Sequence, residues 1–393
     1  MLNFKLNTLE SINYIFNSMN ILQWGKFHEN KYCGGIEAYV TELSSDLAKK
    51  HTLVNLVANT DFSSFSEKFN AYEVKQAASL GRFLSTSFCP TMPYLAHQLN
   101  KKYRFDLMHL HFPDPMSHFS SLFLPKSVKR IISWHSDIVK QKLALKAYEP
   151  FLKKIVNMAD AIIINNPHPG SFPQLQKLLL DKKKINIIPT GIDTQRFLEV
   201  NQNEVIDLQK KYQKPIIFAL GRHVYYKGFE YLIEAMKYIE DAVLIIGGEG
   251  PLTSDLQKQI IDSQLSTKVF LTGKIPHAEI INYYHAAEIF CFPSIEASEA
   301  YGLAQLEAMA CGKPVVCCEL NNGVNFVNQH EKTGLAVPPK NPKALANALI
   351  SLLTNDTYRQ SLGEYAQKRV INEFDFSKTT KNTINLYEKI LKT

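Results

Sequence analysis

A chain of 393 residues is longer than one average domain, and its 45% apolar content is enough to build two separate cores. It has no run of about 18 apolar residues, which argues against an integral membrane protein. Its six cysteines show no Cys-x-x-Cys and no histidines at zinc spacing, so they read as reduced core thiols of a cytosolic protein. The net charge of +7 comes without a helix-turn-helix, finger or RNA-recognition signature, which leaves nucleic acid a poor candidate partner.

Residues 1–18 form an N-terminal extension, with apolar spacing at Leu2, Leu6, Leu9, Ile12 and Ile15-Phe16 that suits a short amphipathic helix. Glu10 interrupts it and no Ala-x-Ala-like cleavage site follows, so a secretory signal is not expected, and Met19 is a plausible start. From Asn20, short apolar runs alternate with longer amphipathic stretches, the pattern of a parallel sheet covered by helices. Strands are predicted at Ile21–Trp24, Val54–Val57, Leu107–Leu110, Arg130–Trp134, Ala161–Ile164 and Ile185–Ile188. Gly34-Gly35-Ile36-Glu37 follows the first strand and opens a helix near Ala38; its glycines permit a tight turn and close ligand approach, as a plain strand-to-helix turn also would.

Between Lys75 and Thr190 the chain carries 17 Lys and Arg against 6 Asp and Glu. This basic face suits anionic lipid headgroups, although a solvated surface accounts for the same lysines. His135 follows the strand ending at Trp134 and is placed to look into a cleft; His109 and His111, at another strand end, have a weaker claim. Lys140 and Lys142, shortly beyond His135, could bind an acceptor diphosphate as point charges, or simply be solvated.

A second set of strands is predicted at Ile216–Leu220, Val243–Ile246, Val269–Leu271, Ile289–Phe292 and Val315–Cys317, with a hinge across Gly191 to Asn203. Gly221-Arg222 ends one strand and Lys227-Gly228 follows, placing two cations at the edge where parallel sheets bind ligands. Gly248 and Gly250 sit in a glycine-rich turn, a weak signal alone. The strongest stretch is Ser298 to Val316. There Ala300-Tyr301-Gly302-Leu303 leads into a helix whose free first-turn amides can hold a phosphate, while Glu299 and Glu307 stand where one could reach a sugar and the other a ribose.

The two glutamates with seven residues between them, Tyr-Gly-Leu among these and Ala-Met-Ala-Cys-Gly-Lys-Pro-Val-Val after, strongly resemble retaining glycosyltransferases of family 4, from Met19 to the C-terminus. The resemblance implies an α/β fold of GT-B type, two Rossmann-like doubly wound domains facing a cleft. Residues 19–195 would form the acceptor-side domain, 196–374 the nucleotide-sugar domain, and 375–393 a helix crossing back, with Phe376 to Leu391 as the candidate. Glu299 would contact the donor sugar, Glu307 the ribose, and the Gly302 and Leu303 amides the diphosphate. Arg222 and Lys227 would neutralise the leaving group, and His135 would lie by the sugar. Gly34, Gly35, Gly248, Gly250 and Pro276 would border the donor.

The His-Ser-Asp-Ile-Val-Lys-Gln-Lys run from His135 and the Asn321-Asn322-Gly323-Val324 run resemble a bacterial subgroup of mannosyl- and rhamnosyltransferases. This favours GDP-mannose as donor, with UDP-hexose open. The acceptor would be a glycan or a polyprenyl-diphosphate-linked glycan, and the product lipopolysaccharide O-antigen or capsule. No cofactor is called for. The absence of a convincing Asp-x-Asp, together with the cationic pair, argues against a required metal. A dehydrogenase would place Gly-x-Gly-x-x-Gly after its first strand, which Gly34-Gly35 does not supply. An epimerase would need no basic acceptor face, and a noncatalytic binder would lose the reactive set.

Overall fold

The computed structural model describes residues 18–28, 35–83, 86–138, 142–168 and 170–393. The amphipathic pattern expected before Met19 lies outside these residues. Among the described residues the strands form an eight-stranded sheet, a six-stranded sheet and a two-stranded ribbon.

The central strands of both sheets are near-continuous aliphatic runs, such as Ala161–Ile164 and Val243–Gly247, because helices cover both sheet faces and leave no wet side to decorate. In the first sheet the order is Ile185–Ile187, Ala161–Ile164, Lys129–Trp134, Leu107–Phe112, Asn20–Trp24, Thr52–Ala58, Tyr72–Ala77 and Phe65–Phe69. All neighbours run parallel except the last pair, which is antiparallel. The expectation of a wholly parallel sheet is corrected at this edge. Tyr72–Ala77 escaped prediction because its Tyr and Val alternate with charged residues, and Phe65–Phe69 because three polar residues separate its two phenylalanines, as in strands with an exposed face. Strand Gly334–Val337, too short and small to stand out, was also not foreseen.

The second sheet is parallel throughout, in the order Val269–Gly273, Val243–Gly247, Ile216–Leu220, Ile289–Phe292, Val315–Cys318 and Gly334–Val337. In each sheet the winding direction reverses once. The reversal falls between Asn20–Trp24 and Leu107–Phe112 in the first, and between Ile216–Leu220 and Ile289–Phe292 in the second. Such switch points open crevices at the carboxyl ends of the strands, where open α/β sheets bind ligands.

The chain passes between the sheets at two adjacent segments. Ile192 exchanges backbone hydrogen bonds with Phe374 and Phe376, each 2.9 Å, and a Cβ on Gly191 would meet the Phe374 carbonyl oxygen at 2.5 Å. Helix Phe376–Leu391, capped by the Asp375 carboxylate on the Ser377 N–H, then packs on the first sheet through Phe376, Leu386 and Tyr387. Its Thr380 hydroxyl donates to Asp46 in the helix Gly35–Leu47 at 2.9 Å.

Candidate active site

Gly302 holds φ +83, and a Cβ there would stand 2.7 Å from Phe292 Cζ, so both conformation and space call for glycine. It caps helix Leu303–Ala310; the Gln305 N–H donates to the Gly302 carbonyl at 3.0 Å, while the Leu303 and Ala304 amides come too early in the helix to have an intrahelical acceptor. Across the crevice lies the start of helix Gly35–Leu47, three residues before the expected Ala38, and a Cβ on Gly35 would lie 3.8 Å from Leu303 Cδ1. Two helix N-termini, one from each domain, thus approach one another and place positive dipole ends in one space. Gly34 lies outside the described residues.

Glu299 and Lys227, read from separate loops, meet directly. Lys227 Nζ is 2.5 Å from Glu299 Oε2, and the Ser294 hydroxyl donates to the same oxygen at 3.2 Å. Both side chains are largely buried, and Nζ also lies 4.8 Å over the Phe292 ring. The expectation of Lys227 as a cation waiting for a diphosphate is therefore refined: here its charge is spent on Glu299. Arg222 is exposed at the mouth, close enough to Tyr226 to act electrostatically on its phenol. The Glu299 backbone is fixed too, since Asn322 Nδ2 donates to its carbonyl at 2.8 Å while Asn322 Oδ1 caps helix Gly323–Val327. A Cβ on Gly323 would meet the Ala300 oxygen at 2.1 Å, so this contact holds Ala300 in place.

Glu307 accepts a 2.7 Å hydrogen bond from the Tyr284 hydroxyl, and burial raises its carboxyl pKa despite that bond and the nearby Arg196. Tyr301 turns its side chain into the core, where its hydroxyl donates to the Thr190 carbonyl at 3.0 Å beside the interdomain crossing. Only its backbone remains for a ligand. The Gly248 and Gly250 amides are used internally, donating to the Gly273 carbonyl at 2.8 Å and the Thr253 hydroxyl at 2.9 Å. Added Cβ atoms would strike Gly221 O at 2.1 Å and His223 O at 2.4 Å, so these glycines let two loops pack and shape the site rather than donate to a ligand. Pro276 is exposed and its carbonyl starts the turn into helix Ile280–Ala286.

In the first domain His135 lies beyond strand Lys129–Trp134 and lines a small recess with Tyr39, Trp134, Asn165 and Thr190. Its Nε2 is 3.0 Å from His111 Nδ1, and burial pulls its pKa down to about 4, so it is neutral near pH 7. His109 and His111 lie inside strand Leu107–Phe112 and are fully enclosed. Asp137 anchors the following loop, accepting from Trp134 Nε1 and from the Gln174 N–H, each at 2.8 Å. Lys140 lies outside the described residues, and Lys142 is described only as the start of helix Lys142–Met158. Tyr284, Ser294 and Gln23 were not foreseen as site residues. The available signal for Gln23 was an amide inside an otherwise apolar strand.

Two doubly wound domains, each presenting its switch point to a shared crevice with paired charges and opposed helix starts, define a GT-B glycosyltransferase. The chain belongs to the group 1 and family 4 glycosyltransferases: residues 33–196 match the family model described as Glycosyltransferase Family 4, and residues 201–369 the one described as Glycosyl transferases group 1. It is 26% identical over 374 residues to O-antigen chain mannosyltransferase C of Escherichia coli, covering 95% of this chain and 99% of that one. It is 25% identical over 355 residues to D-rhamnosyltransferase WbpZ of Pseudomonas aeruginosa, covering 89% and 91%. Among solved structures it resembles a glycosyltransferase from Rickettsia africae, with TM-score 0.77, 20% identity, and 96% and 100% coverage. Sucrose-phosphate synthase from Thermosynechococcus elongatus gives TM-score 0.78, 22% identity, and 95% and 99% coverage. At these identities the structural likeness speaks to the fold.

Proposed function

We propose that the protein is a retaining hexosyltransferase that moves mannose from GDP-mannose to a glycan or lipid-linked glycan in bacterial O-antigen or capsule synthesis. The observation that carries this reading is the Gly302 turn, with Glu299 and Lys227 paired at its mouth and Gly35 opposite. The preference for mannose rests on the likeness to the Escherichia coli mannosyltransferase over nearly the whole chain. A D-rhamnosyl donor is the second reading, favoured by the similarity to WbpZ.

In this reading the Gly302 and Leu303 amides hold the diphosphate, Glu307 the ribose and Glu299 the sugar. The bond from the anomeric carbon to the phosphate oxygen breaks as the acceptor hydroxyl oxygen bonds to that carbon on the same face. The hydroxyl proton passes to the departing phosphate oxygen, and the nucleoside diphosphate leaves. Arg222 and Lys227 stabilise the charge that grows on it. Residues 19–195 serve the acceptor, 196–374 the donor, and 375–393 return to the first domain.

No described helix is long and apolar enough to cross a membrane. We place the enzyme in the cytoplasm with its basic first domain against the anionic inner face of the membrane, a reading supported by exposed Phe119 and Phe123 near Lys126.

The test is a donor panel read by nucleotide release, with and without lipid-linked acceptor, followed by NMR of the anomeric configuration of the product. GDP-mannose should release GDP faster with acceptor, with retention. Preferential use of a UDP-hexose, or an inverted product, would overturn the donor or the mechanism respectively.

A further inference from the structure

Two lines of buried polar contacts lie side by side, one from the C-terminal helix to Ser133 and one from Gln23 to His135. Tyr387 Oη lies 2.6 Å from His109 Nδ1, and His109 Nε2 lies 2.7 Å from Ser133 Oγ. Beside this, Gln23 Oε1 lies 2.9 Å from His111 Nε2, and His111 Nδ1 lies 3.0 Å from His135 Nε2. Gln23, His109, His111, Ser133 and Tyr387 are each at most 2% exposed, so water does not compete for these bonds. The remaining titratable neighbour is Tyr39 of helix Gly35–Leu47, whose ring meets His111 and His135 edge-on at 5.9 and 5.3 Å.

Proton counting gives the second line a direction. A neutral imidazole has one N–H and one bare nitrogen. The Tyr387 phenol lies against His109 Nδ1, and the Gln23 Nε2 has no hydrogen-bond partner among the described residues. The Gln23 carbonyl faces His111, so His111 carries its proton on Nε2 and offers Nδ1 as acceptor. The nitrogen facing it must be an N–H.

We propose that Gln23 and His111 are positioning residues that hold His135 in the Nε2–H tautomer, leaving its Nδ1 as a hydrogen-bond acceptor. This deepens the reading of His135 as a group beside the donor sugar and rests on it. A ring held this way accepts a hydrogen bond from a sugar hydroxyl and has no N–H left to donate to the leaving group. Burial keeps the ring neutral near pH 7, as the proton count requires.

The test is a long-range proton–nitrogen NMR correlation on protein carrying nitrogen-15 histidine, with the His135 signals assigned by their loss in His135→Asn. At pH 7.5 His135 should show the Nε2–H pattern. An Nδ1–H pattern or an imidazolium would overturn the proposal, whatever the donor or activity proves to be. Gln23→Met removes the acceptor that sets the order; the His135 pattern should become mixed and kcat fall about tenfold, with the donor KM changed less than twofold. Gln23→Glu restores an acceptor and should restore the Nε2–H pattern and most of kcat. An unaltered pattern in folded Gln23→Met would also overturn it.

Discussion

Lys227 Nζ rests 2.5 Å from Glu299 Oε2, a contact between two loops that leave neighbouring strands of the second sheet on either side of its switch point. With both side chains mostly shielded, each charge depends on the other, and the pair must loosen if Lys227 is to meet a diphosphate. Lys227→Ala strands the Glu299 carboxylate with Ser294 as its remaining partner. Stability should fall by about 3 kcal/mol and kcat/KM by about 100-fold or more. Urea unfolding and steady-state kinetics on Lys227→Ala, Glu299→Gln and the double variant measure both; additive losses of stability would show that the pair is not coupled.

Arg222 is exposed, so its removal should affect chemistry and not folding. Arg222→Ala is expected to lower kcat by about 100-fold with the urea midpoint unchanged, since it acts on charge that develops in the transition state. Near-normal turnover in the purified variant would remove it from the site.

Gly302→Ala forces a side chain into the left-handed region and against Phe292. The expected cost is about 1–3 kcal/mol of stability, with loss of donor binding as the turn shifts. Differential scanning calorimetry and nucleotide titration read the two effects, and a variant with wild-type values for both would remove the turn from the proposed phosphate site.

The Tyr301 hydroxyl serves the interdomain crossing through Thr190. Tyr301→Phe should cost about 1 kcal/mol and leave the donor KM within about twofold. A large rise in KM, with stability unchanged, would instead assign the phenol to the donor.

Acid stability follows from the buried histidines. Burial holds the pKa of His109 and His118 near 3 and that of His135 near 4, while the unfolded rings titrate at 6.5. Between those limits the unfolded chain binds more protons, so stability should fall as pH drops from 6.5 towards 4. Asp114, raised to about 6 by burial, opposes the trend together with Glu37, Asp137, Glu230 and Glu307, which burial also raises, against seven histidines that burial lowers, the three above with His51, His111, His223 and His285. Urea midpoints at pH 7 and pH 4.5 check the sign; a higher midpoint at pH 4.5 would contradict it.

The aliphatic strands, the Gly302 turn, the paired glutamates and the final helix were legible in the sequence because each is local. A buried parallel strand must be apolar along its length, and a left-handed turn calls for glycine wherever it occurs. Helix Phe376–Leu391 was bounded correctly for the same reason. What the sequence by itself determined is the class of fold and the set of groups that assemble at the switch points. The tertiary structure alone decided which of them touch: that Lys227 pairs with Glu299, that Tyr301 turns to Thr190, and that Gln23, His111 and His135 share one line of hydrogen bonds. Gln23 and His111 are 88 residues apart, and such pairings come from the lateral order of strands, which the periodicity within a strand does not encode.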